Sequence, residues 1–225
     1  MKTKSLLLFA ATLIFTACSK NDSNDNPNSS QTYLNTNEGS TWNYHEDNSS
    51  GATPISSDYT VTSTARDTSI DGKTYHIYNY SYGGMQFLNV TGHQYFQYDS
   101  IPVAGGGNVS RLYLKDDAAA AATWSQDFSL NIPSSPIPVP LHVDNKITEK
   151  GISRTINGTE YKNVTHVTTT LSSALIDADS FSATLDSYYA PNYGMIENTS
   201  IVNLDFQGLT ENVNVTTKLM SADLK

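Results

Sequence analysis

The sequence predicts an all-β fold: an antiparallel, curved sheet of the sandwich or open-barrel type. Three observations predict it. Thr, Ser, Asn, Asp, Gly and Tyr dominate and runs of strong helix formers are nearly absent, a composition that suits pleated strands and tight turns. Apolar and polar residues alternate with period two in several segments. Asp-Gly and Asn-Gly dipeptides sit between such segments, where a two-residue hairpin needs positive φ.

The first element is not part of that sheet. Lys2 and Lys4 precede an apolar run from Leu6 to Phe15 that only Thr12 interrupts. A membrane-spanning helix needs about 20 apolar residues, and this run is about half as long, so residues 1–17 read as an export signal peptide. The junction Phe15-Thr16-Ala17-Cys18 resembles the bacterial lipobox, with an apolar residue three positions before the cysteine and small residues between, although the lipobox ordinarily has leucine where Phe15 stands. The resemblance implies a thioether-linked diacylglyceryl group on Cys18 and an acylated mature N-terminus. Each buried methylene contributes about 0.8 kcal/mol, so one chain is a marginal anchor and several hold firmly. Cys18 is the only cysteine, so no intramolecular disulfide can form.

Residues 18–32 contain almost nothing apolar and read as a disordered tether. Serine follows Cys18, so the aspartate of inner-membrane retention is missing and the expected location is the outer membrane, on its periplasmic or cell-surface face. The scattered Lys and Asp residues also resemble, loosely, the tracts that send lipoproteins of Bacteroidota to the cell surface.

Residues 33–225 are expected to form a single β-rich domain, a length that buries roughly 70% of the unfolded-chain surface. Removing residues 1–17 takes away two lysines and no acids, which leaves 11 basic and 22 acidic residues and a net charge of −11. Phosphate would repel such a surface and no basic cluster offsets it, so nucleic acid is excluded as a partner.

The alternation is clearest at Val213, Val215, Thr217 and Leu219 against Asn214, Thr216 and Lys218. It recurs at Phe181, Ala183 and Leu185 against Ser182, Thr184 and Asp186, and at Leu112 and Leu114 against Arg111, Tyr113 and Lys115. Polar residues on the opposite face indicate antiparallel sheet with a wet side. Asp116-Asp117 and the alanines 118–122 make a loop or a short helix between strands.

Ile70-Asp71-Gly72-Lys73-Thr74-Tyr75 and Ile156-Asn157-Gly158-Thr159-Glu160-Tyr161 share one pattern, and Val61-Thr62 and Ile147-Thr148 lie at equal offsets upstream. Either the domain comprises two related halves, or both turns reflect ordinary hairpin chemistry. The proline-rich stretch Ile132–Pro140 lies between the two copies and reads as a crossing between two sub-sheets. Gly39-Ser40-Thr41-Trp42-Asn43-Tyr44, the paired hairpins, and Tyr188 to Ile196 together resemble a loose group of uncharacterised exported lipoproteins of Bacteroidota. That group implies no activity.

Chemistry has no visible address. There is no Gly-x-Ser-x-Gly elbow and no HExxH helix, and Gly105–Gly107 lack a phosphate-loop lysine. No catalytic residue, metal site or cofactor is predicted. His142 and Asp144 would share a strand face, but two ligands are too few for a metal. The informative stretch is Thr74–Tyr82, which as a strand sets His76, Tyr78, Tyr80 and Tyr82 on one side. Such a stripe faces a core with hydroxyls at its rim, or forms a binding wall. Trp42 and Trp124 read as packing anchors. The expected function is a lipid-anchored cell-envelope protein, a non-catalytic binding or assembly module for a glycan, lipid or envelope-protein ligand, with Tyr78, Tyr80 and Tyr82 as candidate contacts. The alternatives are an envelope-associated enzyme acting on glycans or other polymers, and a lipid-carrier-like protein.

Overall fold

The computed structural model describes residues 32–100, 107–131, 137–206 and 208–225. Cys18, the segment predicted as a signal peptide and the predicted tether up to residue 31 lie outside the described residues. Twelve strands follow in chain order. The first six are β1 Thr41–Asn48, β2 Ile55–Ile70, β3 Lys73–Tyr80, β4 Met85–Thr91, β5 Gln94–Ser100 and β6 Asn108–Lys115. The second six are β7 Thr123–Leu130, β8 Val139–Ile156, β9 Thr159–Ser172, β10 Phe181–Ala190, β11 Gly194–Phe206 and β12 Leu209–Asp223. No helix occurs among the described residues.

All twelve strands belong to one antiparallel sheet in the order β6-β5-β4-β3-β2-β1-β12-β11-β10-β9-β8-β7. Every neighbour is consecutive in sequence except β1 and β12, which pair from Thr41 with Asp223 to Asn48 with Val215. The sheet is therefore two six-stranded meanders joined through the first and last strands. It curls until its edges, β6 and β7, lie side by side, giving a nearly closed barrel and not a sandwich of two sheets.

The two predicted turns join the second and third strands of each meander. Asp71 (φ 49°) and Gly72 (φ 78°) link β2 to β3, and Asn157 (φ 47°) and Gly158 (φ 80°) link β8 to β9. Positive φ at both central residues is the twist-matched hairpin turn, which Asp or Asn followed by Gly accepts. Trp42 and Trp124 each occupy the second position of the first strand of a meander.

No backbone ladder joins β6 to β7 among the described residues, and side chains close the gap. The Gln126 Oε1 accepts the Leu112 N–H at 2.6 Å and its Nε2 donates to the Ser110 carbonyl at 3.3 Å. One side-chain amide thus takes the place of a peptide unit. The Trp124 indole N–H donates to the Leu112 carbonyl at 2.9 Å.

Three readings are refined. Residues 116–122 form a loop without helix: Ala121 has φ 67°, and Ala121 N–H and Ala122 C=O bond to the backbone of Ile147. The proline-rich stretch connects β7 to β8, which are neighbours in the sheet, so it is no crossing; its residues 132–136 lie outside the described residues, and Pro140 enters β8 opposite Ser129. In β6 the alternation fails. Tyr113 is buried together with Leu112 and Leu114, because a bulge pairs Leu114 with Tyr95 and Leu112 with Phe96 and leaves Tyr113 over. Alternation holds in β10 and along β12 near Leu219.

The interior has two characters. Leu130, Val139, Leu141, Val143, Phe181 and Val202 belong to an aliphatic cluster contributed by β7 to β11. The remaining clusters are rich in tyrosine, including Tyr75, Tyr95 and Tyr113 in one and Tyr44, Tyr78 and Tyr161 in the other. The segment before β1 crosses between the meanders. Tyr33 N–H donates to Tyr95 Oη at 3.1 Å, its own hydroxyl donates to the Asn163 carbonyl at 3.0 Å, and Asn192 N–H donates to the Thr32 carbonyl at 2.8 Å.

Candidate functional site

The predicted tyrosine stripe divides. Tyr78 is 2% exposed, its ring edge-on to Trp42 with centroids 5.8 Å apart and its hydroxyl donating to the Asn35 carbonyl at 2.7 Å. Tyr80, the last residue of β3, is half-buried. Tyr82 lies past the strand in the β3–β4 turn and is 70% exposed. Tyr75 and Ile77, on the opposite side of β3, are buried as well, so β3 is covered on both faces instead of one.

Register brings in two tyrosines that the stripe did not contain. Tyr44 on β1 stands directly opposite Tyr59 on β2, and Val61 stands opposite Tyr80 on β3. Directly opposite and diagonal side chains on one face touch. Tyr44 stacks on Tyr59 at 5.4 Å and 26°, and Tyr59 meets Tyr80 at 5.9 Å and Tyr82 at 5.6 Å. Tyr80 stacks on Tyr82 at 5.0 Å and 13°. The series runs from a buried ring to an exposed one. Its local signal is Trp42-x-Tyr44 and Tyr59-x-Val61, two short alternations whose meaning depends on pairing that neither segment reveals alone.

A cavity of about 90 Å³ opens beside this series. Trp42, Tyr44, Tyr59, Tyr78 and Tyr80 line one side and Tyr113, Tyr189, Tyr193 and Met195 another, with Tyr33, Leu34 and Asn35 contributed by the crossing segment. Gln86 and Gln97 add amides, and no charged residue is among those lining it. Gly194 is required here, since a Cβ would come within 3.3 Å of the Tyr33 carbonyl and the residue has φ 69°.

Burial pushes the Tyr44, Tyr59, Tyr78, Tyr80 and Tyr113 phenols well above their usual range. They stay protonated and neutral at any physiological pH, which makes them hydrogen-bonding groups and poor general bases. Tyr44 donates to the Met195 carbonyl at 2.8 Å. The Trp42 indole N–H is buried and meets no acceptor among the described residues. Beyond the lining, Gln97 Nε2 donates to Asp99 at 2.7 Å, and burial raises the Asp99 carboxyl against the opposing pull of Arg111.

The histidines lie elsewhere and each is held by a carboxylate across the strands: His45 by Asp58, His76 by Asp67 and His93 by Asp116. His142 bridges Asp127 at 2.6 Å and Asp144 at 3.1 Å, so His142 and Asp144 do share a face. His166 sits between Glu149 and Asp186 and stacks on Tyr188 at 4.1 Å, while Arg154 covers Tyr188 and pairs with Glu197. Every ring nitrogen of His166 is thus occupied, which is the geometry of a structural clamp. No group of three metal-ligating side chains occurs among the described residues.

The chain is similar to two solved structures. One is a candidate lipoprotein from Parabacteroides distasonis, 10% identical, with a TM-score of 0.48 over 86% of this chain and 99% of that one. The other is a candidate exported protein with a YmcC-like fold from Bacteroides fragilis, 9% identical, with a TM-score of 0.48 over 84% of this chain and 98% of that one. No family model and no curated protein matches the chain.

Proposed function

We propose that the protein is a lipid-anchored binding module of the outer membrane, held through Cys18, that captures a ligand without catalysis at the tyrosine-lined cavity. One observation carries the reading: the Tyr44, Tyr59, Tyr80 and Tyr82 rings continue from the cavity wall to an exposed ring. Core packing has no use for a stacked tyrosine that is mostly in water. The cavity is smaller than the roughly 150 Å³ that admits benzene, so it takes the tip of a ligand, and the rest lies on Tyr80 and Tyr82. It is too small to enclose an acyl chain as a carrier does, which disfavours the lipid-carrier alternative. Support for the anchor comes from the signal core and the Phe15-Thr16-Ala17-Cys18 junction.

Two measurements test the reading. Cells fed a palmitate analogue should label the wild-type protein and leave Cys18→Ala unlabelled; equal labelling defeats the anchor. Titration of the protein with fractionated envelope polymers should shift its aromatic NMR signals, and Tyr82→Ala should weaken binding severalfold while changing stability by no more than about 0.5 kcal/mol. Turnover of a polymer, abolished by a single Asp or Glu substitution, would replace the binding module with an enzyme.

A further inference from the structure

The tyrosine series has a charged neighbour that the fold leaves unpaired. Glu46 follows Tyr44 by two residues on β1, so both side chains lie on one face of the sheet. Directly across from Glu46 stand Ser57 on β2 and Thr217 on β12, and neither carries charge. Its diagonal neighbour on β2 is Tyr59. Burial first, and the Glu46 carboxylate next, raise the Tyr59 and Tyr82 phenols above their usual range, which places that carboxylate close to both rings. The other acidic residues of β1 and β2 are all held: Asp47 by Ser56 and His45, Asp58 by His45, and Asp67 by His76. Glu46 is half-buried and has no hydrogen bond or ion pair among the described residues.

The rings beside it are arranged for a cation. Tyr80 covers one face of Tyr82 at 5.0 Å and 13°, and Tyr82 is 70% exposed, so the other face of its ring is open to water. Tyr59 meets Tyr82 at 5.6 Å and 75°, and the two rings form a corner. A π face attracts a cation, a carboxylate attracts it further, and the acidic chain as a whole draws it in. Glu46 also selects among cations. A carboxylate only accepts hydrogen bonds, so its partner brings N–H donors, which a quaternary ammonium lacks and a primary ammonium has. The strands β1, β2 and β3 are each paired on both edges, so no free backbone edge is present there to hold an extended peptide by strand addition. A flat, open tyrosine ring instead matches the apolar C–H face of a sugar.

Resting on the binding-module reading, we propose that the ligand is a glycan with a free amine, an amino sugar whose ring lies on the open face of Tyr82 and whose ammonium donates to the Glu46 carboxylate. The ammonium stays at this corner and does not enter the cavity, which has no charged residue in its lining to receive it. Only a neutral part of the ligand goes in among the tyrosines.

The test is calorimetry on the full chain purified in detergent, with oligomers of glucosamine, N-acetylglucosamine and glucose, and oligolysine, as probes. The glucosamine oligomer should bind, and the two neutral oligomers should bind at least about tenfold more weakly, the size of one lost hydrogen bond to a charged group. Glu46→Gln keeps the size of the side chain and removes the charge. It should weaken glucosamine binding by a similar factor and melt at the wild-type temperature, because no ion pair is lost. Asp47→Asn makes the same change in net charge on the opposite face of β1 and should leave affinity unchanged. Equal binding of a neutral oligomer, wild-type affinity in a folded Glu46→Gln, or an equal loss in Asp47→Asn overturns the amino-sugar assignment and leaves the binding module standing. Oligolysine that binds as tightly as the glucosamine oligomer, and loses as much in Glu46→Gln, replaces the sugar with a basic peptide. Silence toward all four probes also overturns the assignment. If envelope fractions leave the aromatic signals unmoved as well, the binding module falls with it.

Discussion

The aliphatic cluster of β7 to β11 and the tyrosine clusters elsewhere in the barrel are built by one rule, inward residues alternating along antiparallel strands, and they end in different states. Leu141, Val143 and Val202 carry no polar atom, so their packing is complete once apolar surface is covered. Tyr44 and Tyr78 each bring a hydroxyl that must reach a partner, here the carbonyls of Met195 and Asn35. Those directional bonds hold flat rings at set angles, and the space between the rings stays open. A core assembled from tyrosines can therefore be well buried and still contain a cavity.

The contrast predicts separable effects. The largest belongs to the aliphatic side: Leu141→Ala should cost about 2–5 kcal/mol in urea denaturation and leave ligand affinity as it was, since Leu141 does not line the cavity. A loss of affinity equal to that of the cavity variants would erase the distinction. On the tyrosine side, Tyr78→Phe removes only the bond to Asn35 and should cost about 1 kcal/mol, with faster amide exchange in the crossing segment around Asn35. Unchanged exchange there would mean that the hydroxyl does not hold the segment.

The smallest effect is with pH, and it should arise outside both interiors. The Asp58 hydrogen bond raises the His45 pKa and the Asp127 hydrogen bond raises that of His142. A histidine whose folded-state pKa is raised stabilises the fold fully below its unfolded value of about 6.5; that contribution is lost as pH rises through the folded value. The melting temperature should therefore climb slightly as pH falls from 8 towards 6, and His45→Gln with His142→Gln should flatten the slope. Both side chains are largely solvent-screened, so the shift is small. A slope unchanged in the double variant would place the titration elsewhere.

Much of the fold was legible because it is local. The Asp71-Gly72 and Asn157-Gly158 turns, the alternation of β10 and the lack of helix follow from neighbours in sequence. The Tyr78 and Tyr80 positions were marked by their strand, but the assembly that uses them was not, because Tyr44 and Tyr59 reach it through pairing across β1 and β2. The burial of Tyr113 was hidden for the same reason, since its bulge is defined by Tyr95 and Phe96 on another strand. The proline-rich stretch misled because prolines mark extended chain without saying which strands it joins. Nothing in Gln126 announces a side chain standing in for backbone.

The ring of strands is fastened differently at its two unusual junctions. Where β12 meets β1 the paired strands are the first and last of the sheet, yet a ladder closes the joint and the Lys225 N–H donates to Ser40 Oγ at 3.0 Å. Where β6 meets β7 the covalent chain is continuous through residues 116–122, yet the joint rests on Gln126 and Trp124. One junction has hydrogen bonds without a peptide link and the other has the link without the ladder. A circular permutant that links residue 225 to residue 32 through a flexible spacer and opens the chain at Asp117 would shift the termini to the junction that has no backbone ladder. There the barrel would unzip from β6 and β7, as a sheet with two free edges.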